Sequence, residues 1–290
     1  MKQLFSKISL VWAVVIAYQF ITIILIAFYD FLYFRSPGFL ISRIIILFFI
    51  ISKLSFKSNF LEKFGALSDT FIVYILLAIF YKETAHLNTF LFPKIDLILS
   101  NCDDWIFGFQ PAIWFSEKYN HLLFSEFMFM GYFSYYLMPL IAFIIIWIYK
   151  REFFEEFSFI VLSAYFVYYL IFILIPAAGP QFFFSVPHSQ ITAQGPFGII
   201  VKLIQKSGEA PTAAFPSSHI GIMVIILTLI FKLHKTLFKI FIPLSITLLF
   251  STVYIKAHYF VDIVAGLLSG PMILVFNKFL YLKLNSLRKT

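Results

Sequence analysis

Charge is scarce in this sequence: Asp, Glu, Lys and Arg make up only 12% of its 290 residues, against 61% hydrophobic. That scarcity excludes an ordinary soluble domain and points to a polytopic membrane protein. Cysteine is almost absent. The single Cys102 excludes an internal disulfide and a metal site built on cysteine. The formal charge is +8, yet no basic stripe is interleaved with polar surface. Nucleic acid is therefore not an expected partner, and the lysines read as loop charges that fix topology. No internal repeat, low-complexity segment or separate soluble domain interrupts the pattern, and no protein partner is implied. The forty-one phenylalanines suit lipid-facing surface better than a binding feature.

What is present is a succession of apolar runs. Eight spans are predicted, at 10–29, 38–52, 69–82, 128–149, 157–176, 216–232, 237–255 and 259–277. The third is short and the second carries Arg43. The fold class is thus all-α, a polytopic membrane protein of about eight transmembrane helices. The first run follows Lys2 and Lys7. It is longer than a signal-peptide core and lacks a small-residue cleavage site, so a retained first span is expected.

Charge placement tests the topology. With the N-terminus inside, Lys2, Lys7, Lys53, Lys57, Lys63, Lys150, Arg151, Lys232, Lys235, Lys239, Lys278, Lys283, Arg288 and Lys289 fall on the inner segments. Arg35, Lys82, Lys94, Lys118, Lys202, Lys206 and Lys256 fall on the outer ones, so inner exceeds outer by 14 to 7. Both termini are expected in the cytoplasm. Spans six and eight then begin outside, which places His219 and His258 on one face of the membrane.

Two stretches carry chemistry. The first is Phe215-Pro216-Ser217-Ser218-His219, where proline before a polar pair and an apolar run marks a helix start. First-turn N–H groups lack intrahelical partners and favour an anion. The second runs from Ser251 and Thr252 through Lys256 and His258 to Asp262. Spaced by four, His258 and Asp262 would share a helix face, the carboxylate holding the imidazole. A histidine backed by a carboxylate can attack phosphorus without a metal. His258 is therefore assigned as nucleophile, Asp262 as its orienting partner and His219 as acid–base. Ser217, Ser218 and Lys256 are expected to hold phosphate oxygens. A metal held by His219, His258 and Asp262 is allowed by ligand type, but it would leave the cradle around His219 unused, so no metal or cofactor is expected.

A lone histidine at a helix start is commonly structural; two such features on one face are harder to dismiss. His86, His121, His188 and His234 lack comparable context. Glu126 reads as a contact between helices or a group facing substrate, and Phe133-Ser134-Tyr135-Tyr136 hints at a lining. The outer connection Lys82–His121 sets aromatic residues among charges, as interfacial segments do. The second outer connection, about Ala177–Phe215, covers the site, and loops over a scaffolded site commonly contact substrate.

At these residues the chain resembles the type 2 phosphatidic acid phosphatase superfamily over roughly Asp69–Phe276. Pro216-Ser217-Ser218-His219 is similar to that family's second motif. Ser251, His258 and Asp262 match its third, with Thr252 where the family has arginine. The first motif's lysine and Arg-Pro pair are replaced by Pro176-Ala177-Ala178-Gly179-Pro180, which has no cation. The resemblance implies a six-helix core at 69–277, two extra N-terminal helices at 1–68 and a basic tail at 278–290. The Gly179-Pro180 segment, Asp103-Asp104-Trp105 and Lys256-Ala257-His258-Tyr259 look like the branch containing inositol phosphorylceramide synthases and related sphingolipid synthases. That branch moves a phospho-headgroup from a glycerophospholipid to a lipid alcohol, here expected through a phosphohistidine at the outer face. Thr252 and Gly179 join the expected phosphate contacts on that basis. A lipid phosphate phosphatase and a non-enzymatic transporter are the alternatives. The absence of organelle signals suggests a bacterial inner membrane, although a Golgi-type membrane with a lumenal site would give the same pattern.

Overall fold

An apolar run in lipid must satisfy its own backbone, and a helix does so within one segment. The computed structural model describes residues 9–33, 38–55, 59–185, 191 and 193–289. Among those residues there are helices and no strand. In chain order they are α1 Leu10–Tyr33, α2 Gly38–Ser55, α3 Asn59–Leu91, α4 Asp96–Phe107, α5 Pro111–Lys118 and α6 Leu122–Tyr149. A 3-10 turn at Arg151–Phe153 leads to α7 Phe154–Leu174, then α8 Pro180–Phe183, α9 Pro196–Gly208, α10 Ser218–Leu233, α11 Lys235–Tyr254 and α12 Phe260–Lys289. The chain is an all-α polytopic membrane protein. Lys2, Lys7, Arg35, Lys57 and His188, used in the sequence reading, lie outside the described residues.

Each predicted span is a helix, but their lengths differ from expectation. Six helices, α1, α3, α6, α7, α11 and α12, are long and apolar enough to cross a membrane, while α2 and α10 hold shorter apolar stretches. The third span is not short: α3 runs for 33 residues because its polar continuation finds partners. Glu83 pairs with Arg43 of α2, and the Thr84 hydroxyl lies 3.4 Å from that of Thr212. At 16 residues, α10 spans about 24 Å at 1.5 Å per residue, less than a full bilayer core. Its polypeptide arrives instead through buried irregular backbone at Ala213, Ala214 and Ser217. Such backbone is tolerated in a membrane protein where it is enclosed by protein or lines a cavity.

Of the six crossing helices, α7 is the most enclosed. Around it stand α1, α3, α10 and α12, and α10 also packs on α6 and α11. Because lipid is as apolar as a leucine side chain, helices associate here through close packing, not hydrophobic burial. Gly266 and Gly270 of α12 supply it. A Cβ on Gly270 would come within 2.9 Å of the Gly221 carbonyl oxygen, and one on Gly266 within 2.6 Å of that of Ser217. This small-xxx-small contact draws α10 against α12 beside both histidines. The residues expected as a basic tail continue α12, where Arg288 meets Glu155 at 2.5 Å and Lys278 meets Glu156 at 3.9 Å on α7.

Candidate active site

The start of α10 is capped by Ser217, whose hydroxyl accepts from the Ile220 N–H at 3.4 Å. The Ser217 N–H donates to the Asp262 carbonyl at 3.0 Å, tying this helix start to that of α12.

A tight turn brings in the second stretch. The N–H groups of Ala257 and His258 both donate to the Thr252 carbonyl, at 3.0 and 3.1 Å, closing α11. Lys256 takes the left-handed position of that turn with φ 65°, where glycine is the usual residue. Tyr259 caps α12, its N–H donating to Asp262 Oδ2 at 2.8 Å, as in a capping box. His258 therefore precedes α12 and does not share a helix face with Asp262. The pair still meets, His258 Nδ1 lying 3.5 Å from Asp262 Oδ2, because the carboxylate folds back to the helix start. A nearer partner holds the ring: His258 Nδ1 lies 2.7 Å from the Ala214 carbonyl oxygen and, as the protonated nitrogen, donates to it. With Nδ1 so engaged, Nε2 carries the lone pair. It faces His219 Nδ1 at 2.9 Å.

The other predicted residues divide. Ser218 borders a cavity together with His219. Ser217 is used as a cap, and the Thr252 hydroxyl donates to the Leu249 carbonyl at 2.9 Å. Gly179, at φ 95°, has no room for a Cβ, which would lie 2.8 Å from the Ala257 carbonyl oxygen. Its N–H donates to Asp96 Oδ1 at 2.8 Å, so a side chain of this protein occupies it. Lys256 is buried and its Nζ has no hydrogen-bond partner among the described residues. Burial pushes its ammonium below lysine's ordinary range; Glu117 opposes this and Lys202 adds to it. Among the described residues, no three His, Cys, Asp or Glu side chains group to hold a metal ion.

Three carboxylates without an assigned role hold the surrounding loops. Asp96 accepts from the Ala178 and Gly179 N–H groups and from the Tyr259 hydroxyl at 3.1 Å. Asp103 accepts from the N–H groups of Phe260 and Val261, at 2.8 and 3.0 Å, at the start of α12. Glu126 does the same for α9 through Phe197 and Gly198, both at 2.8 Å. All three place acid charge where a helix or loop presents free N–H groups. Of the remaining histidines, His234 caps α11 through the Leu237 N–H at 3.1 Å, and the His86 ring lies 4.8 Å from that of Phe39.

The cavity beside His219 has a volume of about 510 Å³. Tyrosine dominates its wall: Tyr74 and Tyr81 from α3, Tyr132, Tyr135 and Tyr136 from α6, Tyr165 and Tyr169 from α7. The rings of Tyr135 and Tyr132 lie 4.2 and 5.0 Å from the His219 ring. Lys82 and Glu209 are the charged members of the lining, and Leu77, Ala78 and Ile204 give it an apolar part. Tyr132 donates to Glu209 Oε1 at 2.9 Å, and Gln181 Nε2 donates to Oε2 at 2.6 Å.

Neither the curated proteins nor the solved structures give a match to this chain. A family model described as the PAP2 superfamily matches residues 99–276, more than half of the chain, from within α4 to within α12. The chain belongs to the PAP2 superfamily.

Proposed function

We propose that this superfamily member is a lipid phosphotransferase, moving a phospho-headgroup, phosphoinositol, from a glycerophospholipid to a ceramide-like lipid alcohol. Superfamily membership supports lipid phosphatase or phosphotransferase chemistry. The observation that carries the finer reading is the placement of the two imidazoles. Ala214 and Asp262 engage His258 Nδ1, which turns the Nε2 lone pair toward His219, 2.9 Å away.

In this reading the phosphoryl group lies between the two rings. The His258 Nε2 pair forms a P–N bond as the P–O bond to the glyceride breaks. His219 gives its proton to the departing oxygen, releasing a diacylglycerol and leaving the headgroup on His258 as a phosphohistidine. His219 then takes the proton of the acceptor hydroxyl, whose oxygen attacks phosphorus and returns the electron pair to His258. Asp262 stabilises the imidazolium that develops in the first step.

Charge supports a diester donor. The family's cations are absent at Pro176–Pro180 and at Thr252, and the buried Lys256 is the nearest replacement in sequence. Lys202, on α9, acts on it electrostatically. A phosphodiester carries one negative charge, so it needs fewer cationic ligands than a dianionic monoester. The site is read at the extracytoplasmic face, in a bacterial inner membrane, with both termini inside.

The test uses detergent-purified protein without added metal, labelled ceramide and either phosphatidylinositol or phosphatidic acid. A labelled phosphorylated ceramide that disappears in His258→Ala is the expected result. Free phosphate without labelled product would make the protein a phosphatase and overturn the transfer reading.

A further inference from the structure

Phenylalanine is the default aromatic of this chain, at forty-one residues against sixteen tyrosines. Seven of those sixteen nevertheless line the cavity beside His219. Packing does not select them. Phenylalanine fills nearly the same volume, and a buried hydroxyl costs free energy unless it finds a partner. Some partners are internal: Tyr74 donates to the Tyr136 carbonyl at 3.3 Å and Tyr169 to that of Leu77 at 3.2 Å. The buried Tyr165 hydroxyl has no partner of good geometry, with Tyr74 and Tyr135 its nearest polar neighbours. Glu209 is fixed by Tyr132 and Gln181, one donor on each oxygen, and keeps further lone pairs for a ligand.

We propose that this cavity is the headgroup subsite, that it takes a polyhydroxylated ring, sugar or cyclitol, and that Glu209 is the specificity-determining residue that reads the ring's hydroxyls. The proposal rests on the reading above in one respect, that the phosphoryl group lies between His219 and His258. Tyrosine faces pack against the C–H faces of such a ring, the Tyr165 hydroxyl is free to donate to its oxygens, and the carboxylate accepts from its O–H groups. An acyl chain would leave the Tyr165 hydroxyl and the remaining lone pairs of Glu209 without partners. A quaternary ammonium would suit an aromatic cage, but Lys82 in the same wall opposes a cation. The 510 Å³ volume accommodates a six-membered polyol with room to spare. Glu209 directly follows α9, so the helix covering the site also carries the residue that reads the headgroup.

The test is equilibrium binding of three soluble probes to the full-length protein in detergent: inositol 1-phosphate, phosphocholine and inorganic phosphate. Inositol 1-phosphate is expected to bind about tenfold or more tightly than either of the others, as a site built to hydrogen-bond hydroxyls should. Glu209→Gln removes most of that advantage. Tyr165→Phe, which deletes one hydroxyl and keeps the ring, reduces it about three-fold. Equal binding of the three probes, an advantage that survives Glu209→Gln, or a preference for phosphocholine overturns the proposal. The transfer reading fails separately, by absence of labelled ceramide product while the ring preference persists.

Discussion

His219 Nδ1 lies 2.9 Å from His258 Nε2, closer than a phosphoryl group between them would allow. One hydrogen bond thus joins the two rings, and in the proposed reading substrate replaces it with contacts to its own oxygens and phosphorus. The two histidines then have separable roles. With His258 as the proposed nucleophile, His258→Ala is expected to cost on the order of 10⁴-fold or more in kcat. His219→Ala removes the leaving-group acid, with an expected loss of about 10²- to 10⁴-fold. A p-nitrophenyl diester, whose leaving group needs no proton, should restore most of the loss in His219→Ala and none in His258→Ala. Equal rescue of both would remove the distinction between nucleophile and acid.

Asp262→Asn should be milder than the corresponding change in a serine-protease triad, where about 10⁴-fold is lost because the tautomer is wrong. Here the Ala214 carbonyl also fixes the tautomer, accepting from His258 Nδ1 at 2.7 Å against 3.5 Å to Asp262. The expected loss in kcat is about 10²-fold, the share that belongs to stabilising the imidazolium. A loss as large as that of His258→Ala would show that Ala214 does not hold the ring in solution.

Lys256 gives a pH dependence with a defined sign. In the proposed reading its protonated form attracts the phosphate, and burial lowers its pKa from lysine's ordinary 10.5. Binding of a phosphodiester, which has no proton to lose in this range, is expected to weaken as pH rises through that lowered value. Lys256→Met should bind more weakly and flatten the profile. Folding stability moves the other way: the unfolded chain binds more protons than the folded one between the lowered and ordinary values, so stability rises with pH there. Titration calorimetry and thermal unfolding across this range measure the two slopes. Parallel slopes would contradict the assignment.

Gly266 and Gly270 bring α12 close to α10, the helix that carries His219. Gly270→Val would place a branched side chain where a single Cβ already comes within 2.9 Å of the Gly221 carbonyl oxygen. The helices must separate, and a displacement near 1 Å at a reacting centre costs about 10²-fold in rate. The variant should stay membrane-inserted with kcat reduced to that extent. Unchanged kcat would mean that the glycine contact does not position His219.

The all-α membrane fold and the superfamily were legible because both are written locally, in apolar runs and in Ser217-Ser218-His219 and His258…Asp262. The contacts of Asp96 with Ala178 and Gly179, of Asp103 with Phe260 and of Glu126 with Phe197 were not. Each joins a carboxylate to a backbone N–H at least 71 residues away, and backbone partners leave no sequence pattern. The role of Ala214 was hidden for the same reason, since its contact is a carbonyl. Other signals were present and unused. Gly266 and Gly270 have the spacing of a close helix crossing, and Tyr165 and Tyr169 stand out against a phenylalanine background as Tyr135 and Tyr136, read as a lining, already did. Arg43 weakened the second span as a reading because its partner sits in the third.

That partnership leads to the last expectation. Arg43 and Glu83 are both fully buried, paired between α2 and α3, with the guanidinium 5.5 Å from the Tyr18 ring and 5.1 Å from that of Phe80. The pair lies outside the 99–276 stretch matched by the superfamily model. Removing one partner leaves a buried charge without compensation, which costs about 3–5 kcal/mol, whereas replacing both with apolar side chains of similar size is often near neutral. Arg43→Leu and Glu83→Leu should therefore each lower thermal stability, while the double variant should recover most of the loss. Thermal unfolding in detergent distinguishes the cases. If the double variant is stable and active, the pair is a packing device between α2 and α3. If it is stable but inactive, α3 must be held by the pair for Tyr74 and Tyr81 to shape the wall beside His219. Additive losses in the two single variants would show that the charges do not depend on each other, contrary to their burial as one unit.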